Sequence, residues 1–132
     1  MSNIFNRALA VGKISKIKIM ANETQQDINK TQRELVNYIN RLKQCRMKIY
    51  AEISDEKING RLLGEVDGII DKMFVALKQS KAILDGLSAD ATNEIKNIVD
   101  AYNSSIDPEH PEEPLKYEQI VLTSVSGIIA AS

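Results

Sequence analysis

The chain has 132 residues, 43% of them hydrophobic and 27% charged, and its formal net charge is −1. This composition is ordinary for a small soluble domain, and the length allows one modest core. Aromatic residues make up 5% of the chain and tryptophan is absent, which argues against a stacking platform for single-stranded nucleic acid. A single domain is predicted, with a basic N-terminal arm at 1–21, a helical core at 22–103, an acidic proline-rich loop at 104–114 and a C-terminal strand arm at 115–132.

The charge is unevenly distributed along the chain. Residues 1–54 carry ten basic and four acidic residues, whereas residues 55–132 carry seven basic and fourteen acidic residues. Two interpretations are open. The halves pack on each other within one chain, or the basic end of one copy contacts the acidic end of another.

The N-terminal arm begins with a pattern typical of a short helix at 3–11, which Gly12 would end. Lysine and isoleucine then alternate from Lys16 to Ile19, which predicts a half-buried strand over 15–20. Its apolar members, Ile17 and Ile19, are candidate interaction residues. The arm's basic side chains offer an alternative, binding to nucleic acid or an anionic surface.

A first long helix is predicted around 24–53, with Asn22 or Thr24 as the capping residue. Its apolar residues repeat every seven positions, at Ile28, Leu35, Leu42 and Ile49. This spacing is typical of a coiled coil. Basic residues near its C-terminal end extend the alternative patch, which comprises Lys13, Lys16, Lys18, Arg41, Lys43, Arg46 and Lys48.

The most apolar helix-periodic run is a second helix around 61–85. Its hydrophobic residues cover an arc of roughly 140°, at about 100° per residue, so that more than one neighbour must cover them. A break within 54–60, where Ser54 could cap the second helix and Asn59-Gly60 could form a turn, predicts an antiparallel helical hairpin. A single bent helix is the alternative.

Three glycines follow one another at four-residue spacing, at Gly60, Gly64 and Gly68. Each glycine inside a helix costs about 1 kcal/mol relative to alanine. One interpretation is a small-residue groove that another helix approaches closely. A second is an exposed helix face on which the glycines have no special role, and a third is a helix that starts only after Gly64.

Gly86 predicts the end of the second helix, and Ser88 or Asp90 the start of a shorter third helix that extends to about residue 103. The proline-rich loop follows, and the β-branched residues of 117–129 predict one or two strands, with Ile120 and Leu122 as candidate interaction residues. The predicted fold is therefore mainly α, a coiled-coil-like antiparallel hairpin with a third helix and short β arms near both termini.

No catalytic, cofactor or metal site is predicted, and the protein is not expected to be an enzyme. His110 stands among acidic residues, but the surrounding prolines would extend the backbone and separate those side chains. Cys45 lies on the flank of a helical stripe and is interpreted as a core thiol. No glycine-rich phosphate loop, Cys-x-x-Cys or nucleophile elbow occurs in the sequence.

The apolar residues near the N-terminus are too few and too interrupted for a signal peptide. The longest uncharged apolar run, at 120–131, is too short to span a bilayer. We therefore expect a protein of the cytoplasm, or of a particle assembled inside the cell, that is not secreted by a signal peptide.

Helical hairpins with strand-forming arms are common in small components of large assemblies, virion parts included. The sequence therefore predicts a non-enzymatic structural protein that self-assembles or joins a larger complex, with protein partners and homo-oligomerisation expected. The alternative is a small regulatory or adaptor module that binds nucleic acid or an anionic surface through its basic N-terminal half, although nucleic acid is the less expected partner.

Overall fold

The computed structural model describes residues 3–125, with side chains from Asn6 onward. It contains helix α1 at Asn3–Glu52 and helix α2 at Glu56–Ser104. Residues 106–125 follow α2 without helix or strand, and we call them the C-terminal segment. The mainly helical prediction is confirmed for this part of the chain.

The described residues group into two compact units. Unit 1 comprises residues 3–26 and 83–123, and unit 2 comprises residues 27–82 with Ser124 and Val125. Each helix contributes one portion to unit 1 and the other to unit 2. In both units, the portion of α1 packs against the portion of α2.

The core of unit 2 forms between the two helices. Ile39 from α1 and Val66, Ile70 and Leu77 from α2 are buried together. Partly buried apolar residues pack against them, and these include three members of the seven-residue repeat, Leu35, Leu42 and Ile49. The predicted packing of these two helices is therefore confirmed.

The connection between the helices is shorter and earlier than the predicted break within 54–60. Only residues 53–55 separate α1 from α2. The Oδ1 atom of Asp55 accepts hydrogen bonds from the backbone N–H groups of Lys57 and Ile58, at 3.0 and 3.2 Å. Asp55 rather than Ser54 thus caps α2, because its carboxylate satisfies two N–H groups that have no partner within the helix.

Asn59, which the sequence predicted to form a turn with Gly60, lies inside α2. Its side-chain N–H groups donate to the carbonyl oxygens of Ile49 and Ile53, at 2.9 Å each. These carbonyls belong to the last turn of α1 and to the connection. Asn59 therefore satisfies backbone acceptors where α1 ends, which is a capping role that its position in the sequence did not indicate.

One core cluster of unit 1 consists of three buried residues. Ile14 of α1 lies with Ile95 and Val99 of α2. Leu115 and Ile120 of the C-terminal segment pack against this cluster. The core is thus enclosed by two helices and one extended segment.

The predicted N-terminal strand over 15–20 is wrong, because these residues lie inside α1. The same pattern of isoleucines also fits a helix, because Ile14 and Ile17 are three residues apart and both pack in the unit 1 core. Asn22 and Thr24, the predicted caps, are also inside α1. The Oγ1 atom of Thr24 donates to the carbonyl oxygen of Met20, one turn earlier.

The separate third helix is also wrong, because α2 continues through Gly86 to Ser104. The C-terminal strand arm is wrong for residues 115–125, which are extended but form no β-ladder. Their backbone groups bond instead to helix side chains. The remainder of that predicted arm, residues 126–132, lies outside the described residues.

Candidate interaction surfaces

The C-terminal segment of unit 1 is held by side chains of α2 that bond to its backbone. Asn103 forms a reciprocal pair with Leu115, in which Nδ2 donates to the carbonyl oxygen at 3.1 Å and Oδ1 accepts from the N–H at 2.8 Å. Thr92 forms a similar reciprocal pair with Ile120. Its Oγ1 accepts from the Ile120 N–H at 2.9 Å and donates to the Ile120 carbonyl oxygen at 3.3 Å. These two side chains replace the partner strand that an extended segment ordinarily needs.

Two further side chains continue this row within unit 1. The Oγ atom of Ser88 accepts from the N–H of Leu122 at 2.9 Å, and Oε1 of Gln25 accepts from the N–H of Thr123 at 2.7 Å. Later residues of the segment bond to earlier positions of α2, so the segment runs antiparallel to that helix. Because the bonds go to backbone atoms, they tolerate many side chains in the segment.

Unit 2 contains a buried glutamine with the same role. Gln32 has no exposed surface. Its Nε2 donates to Oγ of Ser80 at 2.8 Å, and its Oε1 accepts from Oγ of Ser124 and the N–H of Val125, at 3.0 and 3.1 Å. Every polar atom of this side chain is satisfied, which removes the large cost of burying an unpaired amide.

Polar and charged contacts hold the beginning of the segment. Arg7 of α1 donates to the carbonyl oxygen of Glu113 and lies 5.6 Å from the centre of the Tyr102 ring. The Tyr102 hydroxyl donates to Oε2 of Glu112 at 2.8 Å. A basic residue of the N-terminal arm thus contacts the backbone of the acidic loop within one chain.

A second surface of unit 1 is open. Two consecutive grooves of about 410 and 290 Å³ lie between the portions of α1 and α2, and together we call them the open groove. Its lining includes Leu9 and Met20, whose exposed fractions are 49% and 57%. None of the described residues that line it belongs to the C-terminal segment. Exposed apolar surface of this kind marks contact sites for proteins or ligands.

Comparisons of the chain with models of known protein families, with curated protein sequences and with solved structures gave no match. The surfaces must therefore be interpreted from their own chemistry. Neither described helix has a stretch apolar enough to cross a membrane. Among the described residues, no group of three or more His, Cys, Asp or Glu side chains is placed to bind a metal ion.

The predicted interaction residues of the two arms lie in unit 1, but not on paired strands. Ile17 and Ile120 are both half-buried and pack against the same core cluster. Leu122 is buried, whereas Ile19 is 58% exposed. The two arms therefore contribute to one core, through a helix on one side and the extended segment on the other.

The three glycines lie in α2 within unit 2 and are exposed. A Cβ atom added to Gly60, Gly64 or Gly68 would find no atom of the described chain within 4 Å. No helix of the described chain therefore approaches this glycine face, and the contact groove stays a prediction about another molecule.

The alternative basic patch is divided between the units. In unit 1, Lys18 forms an ion pair with Glu118, while Lys13 and Lys16 are exposed. In unit 2, Arg46 bonds to Asp67 at 2.8 Å and Lys43 lies 5.9 Å from the centre of the Phe74 ring. The remaining members, which are also exposed, are Arg41 and Lys48.

Cys45 is exposed, so its interpretation as a core thiol is wrong. A position on the flank of the apolar stripe can be either buried or exposed. Here α2 packs against the flank opposite Cys45. His110 is also exposed, and its Nδ1 lies 3.2 Å from Oδ2 of Asp107 within one turn.

Sequence reasoning missed the side chains that hold the C-terminal segment. One signal was present: Gln32 occupies a position between Ile28 and Leu35 on the apolar stripe of α1. A polar residue at such a position must find a buried partner. Nothing in the sequence indicated that the partner would be the backbone near residue 125.

Proposed function

We propose that the protein is a non-enzymatic structural protein that acts through protein–protein contacts, by self-assembly or as a small subunit of a larger complex. The observation that carries this proposal is the open groove of unit 1. It leaves large apolar side chains exposed to water. The C-terminal segment covers the core of unit 1, but none of its described residues lines this groove. Contact with another protein would remove this apolar surface from water.

The molecular mass of the full-length chain in solution tests the proposal. Sedimentation and light scattering over a wide concentration range should give a mass above that of the 14.7 kDa monomer, rising with concentration. A chain that stays monomeric at the highest concentration would contradict self-assembly. Physiological salt should leave the apolar part of the association intact, because screening acts on exposed charges.

The alternative function, binding of nucleic acid or an anionic surface by the basic N-terminal half, has less support. Three of the seven cations in that patch already contact acidic or aromatic side chains of the same unit. Binding to a generic DNA duplex and to anionic vesicles at several salt concentrations would test this alternative. Tight, strongly salt-dependent binding would favour it over the proposed function.

A further inference from the structure

We propose that the open groove of unit 1 is the contact between two copies of this chain, which lie antiparallel to each other about a two-fold axis. This inference rests on the proposed function, because it names the partner and the face used for self-assembly. Two helices that leave an apolar groove open can complete a core by pairing with a second helix pair, as four-helix bundles do.

The lining of the groove suits the approach of another helix pair. Its floor includes the small residues Ala10 and Ala91, whose exposed fractions are 8% and 9%. Longer apolar side chains, Leu9 and Met20, project beside them and are about half exposed. Small floor residues permit close approach of a neighbouring helix, and the projecting residues supply the apolar area that its burial would remove from water.

The charges along the groove favour a second copy as the occupant. Lys13 is the one charged residue among the described residues that line the first half of the groove. Asp90 and Glu94 are the charged residues of the second half. An isologous contact places a patch against itself. In the antiparallel arrangement, the Lys13 half of each copy meets the acidic half of the other, so opposite charges meet twice.

The other two-fold arrangement, with the two copies parallel, would place each half of the groove against the same half of its partner. Lys13 would then face Lys13, and the acidic residues would face acidic residues. Like charges brought together at an interface oppose association. The charge pattern therefore favours the antiparallel arrangement.

A pair of charge-reversed chains tests both the face and the arrangement. The first chain carries Lys13→Glu, and the second carries Asp90→Lys with Glu94→Lys. Each alone should dimerise at least about tenfold more weakly than the unaltered chain, which corresponds to about 1.4 kcal/mol. Mixed in equal amounts, they should form a heterodimer, because the reversed half of one chain then attracts the reversed half of the other, and the two unaltered halves also attract each other.

Native mass spectrometry distinguishes the heterodimer from homodimers by mass, and circular dichroism checks that each variant remains helical. The three substituted positions are exposed, so the fold should be unaffected. Lys16→Glu is the matched control, since Lys16 is exposed on the same helix and does not line the groove. It should leave the dimerisation constant within about twofold of the unaltered value.

The result separates this inference from the function on which it rests. If the unaltered chain assembles but the two charge-reversed chains assemble equally well and form no preferential heterodimer, another face is used and the inference is wrong. If the unaltered chain is monomeric at every concentration, the proposed self-assembly itself is wrong. Weaker association of each variant alone, together with a preferential heterodimer, supports both. A preferential heterodimer without that weakening would indicate the parallel arrangement and overturn the proposed one.

Discussion

The apolar faces that α2 presents in the two units differ in width, and the edges of the wider face are the less well covered. In unit 2, α2 presents the wide apolar face predicted around 61–85, yet Ile69 and Phe74 at its edges are 44% and 36% exposed. In unit 1, α2 presents a narrow stripe, yet Ile95 and Val99 are 0% and 3% exposed. The centre of the face is buried in unit 2 as well, where Leu77 of α2 and Ile39 of α1 are 4% and 2% exposed, so the difference lies at the edges of the wide face.

The C-terminal segment accounts for this difference. In unit 1, it lies against the helices and packs Leu115 and Ile120 onto the core. In unit 2, the described part of the segment is Ser124 and Val125 alone, and α1 covers only the centre of the wide face. A two-helix layer leaves the flanks of such a face exposed, whereas a third covering element closes the narrow stripe.

The largest expected effect tests this comparison directly. Ile95→Ala should destabilise the protein by about 2–5 kcal/mol, because it removes a fully buried side chain from an enclosed core. Leu42→Ala, at a partly buried position of unit 2, should cost less. Urea denaturation followed by circular dichroism measures both. Ile19→Ala, at an exposed site in α1, is the control and should stay within about 0.5 kcal/mol. An equal or larger loss for Leu42→Ala would contradict the comparison.

The second prediction tests how the segment is held. Thr92→Val keeps the shape of the side chain but removes the hydroxyl that bonds to both backbone groups of Ile120. The loss should be about 1–3 kcal/mol, since those groups would be left without partners in a partly buried site. Hydrogen exchange at the Ile120 amide should accelerate more than exchange in the centre of α2.

Thr31→Val is the matched control for that substitution. The Oγ1 atom of Thr31 donates only to the Asp27 carbonyl of its own helix turn, and the site is exposed. It should change neither stability nor Ile120 exchange appreciably. Unchanged exchange in both variants would mean that apolar packing alone holds the segment.

The third prediction concerns the connection in unit 2. Asp55→Ala should cost about 0.5–2 kcal/mol, because it removes the acceptor for two N–H groups at the start of α2. Ser54→Ala, at the residue that the sequence suggested as one possible cap, should have little effect. Thermal melting of the two variants decides which residue caps the helix, and a larger loss for Ser54→Ala would reverse the assignment.

The sequence predicted the helices and their packing because the relevant signals are strong and local. The seven-residue repeat through Leu35, Leu42 and Ile49 gives the face of α1 that packs in unit 2. The predicted helix ends failed at Gly12 and Gly86 for one physical reason. A glycine costs a helix only about 1 kcal/mol, which the burial of neighbouring apolar residues outweighs.

The C-terminal segment could be predicted only in part. Its β-branched residues and three prolines indicated extended, non-helical backbone, and residues 106–125 are non-helical. Its hydrogen-bond partners could not be predicted, because they are single side chains such as Thr92 and Gln25, which lie 28 and 98 positions away in the sequence. The open groove was also missed, since its residues become neighbours only when α1 and α2 pair.

The smallest expected effect, and a stabilising one, concerns the glycine face of unit 2. Gly64→Ala should stabilise the chain by about 0.5–1 kcal/mol, because alanine restricts the unfolded chain and the added methyl group meets no atom of the described residues within 4 Å. Gly12→Ala, at an equally open position in the α1 portion of unit 1, is the matched control and should stabilise by a similar amount.

Assembly decides whether the glycine face has a further role. If the contact between copies uses the open groove of unit 1, a chain with alanine at Gly60, Gly64 and Gly68 should be more stable and should assemble to the same mass as the unaltered chain. Light scattering at matched concentrations measures this. If the mass falls while stability rises, a partner helix approaches the glycines closely enough for three methyl groups to exclude it. The glycine face of unit 2, rather than the open groove of unit 1, would then be the principal contact.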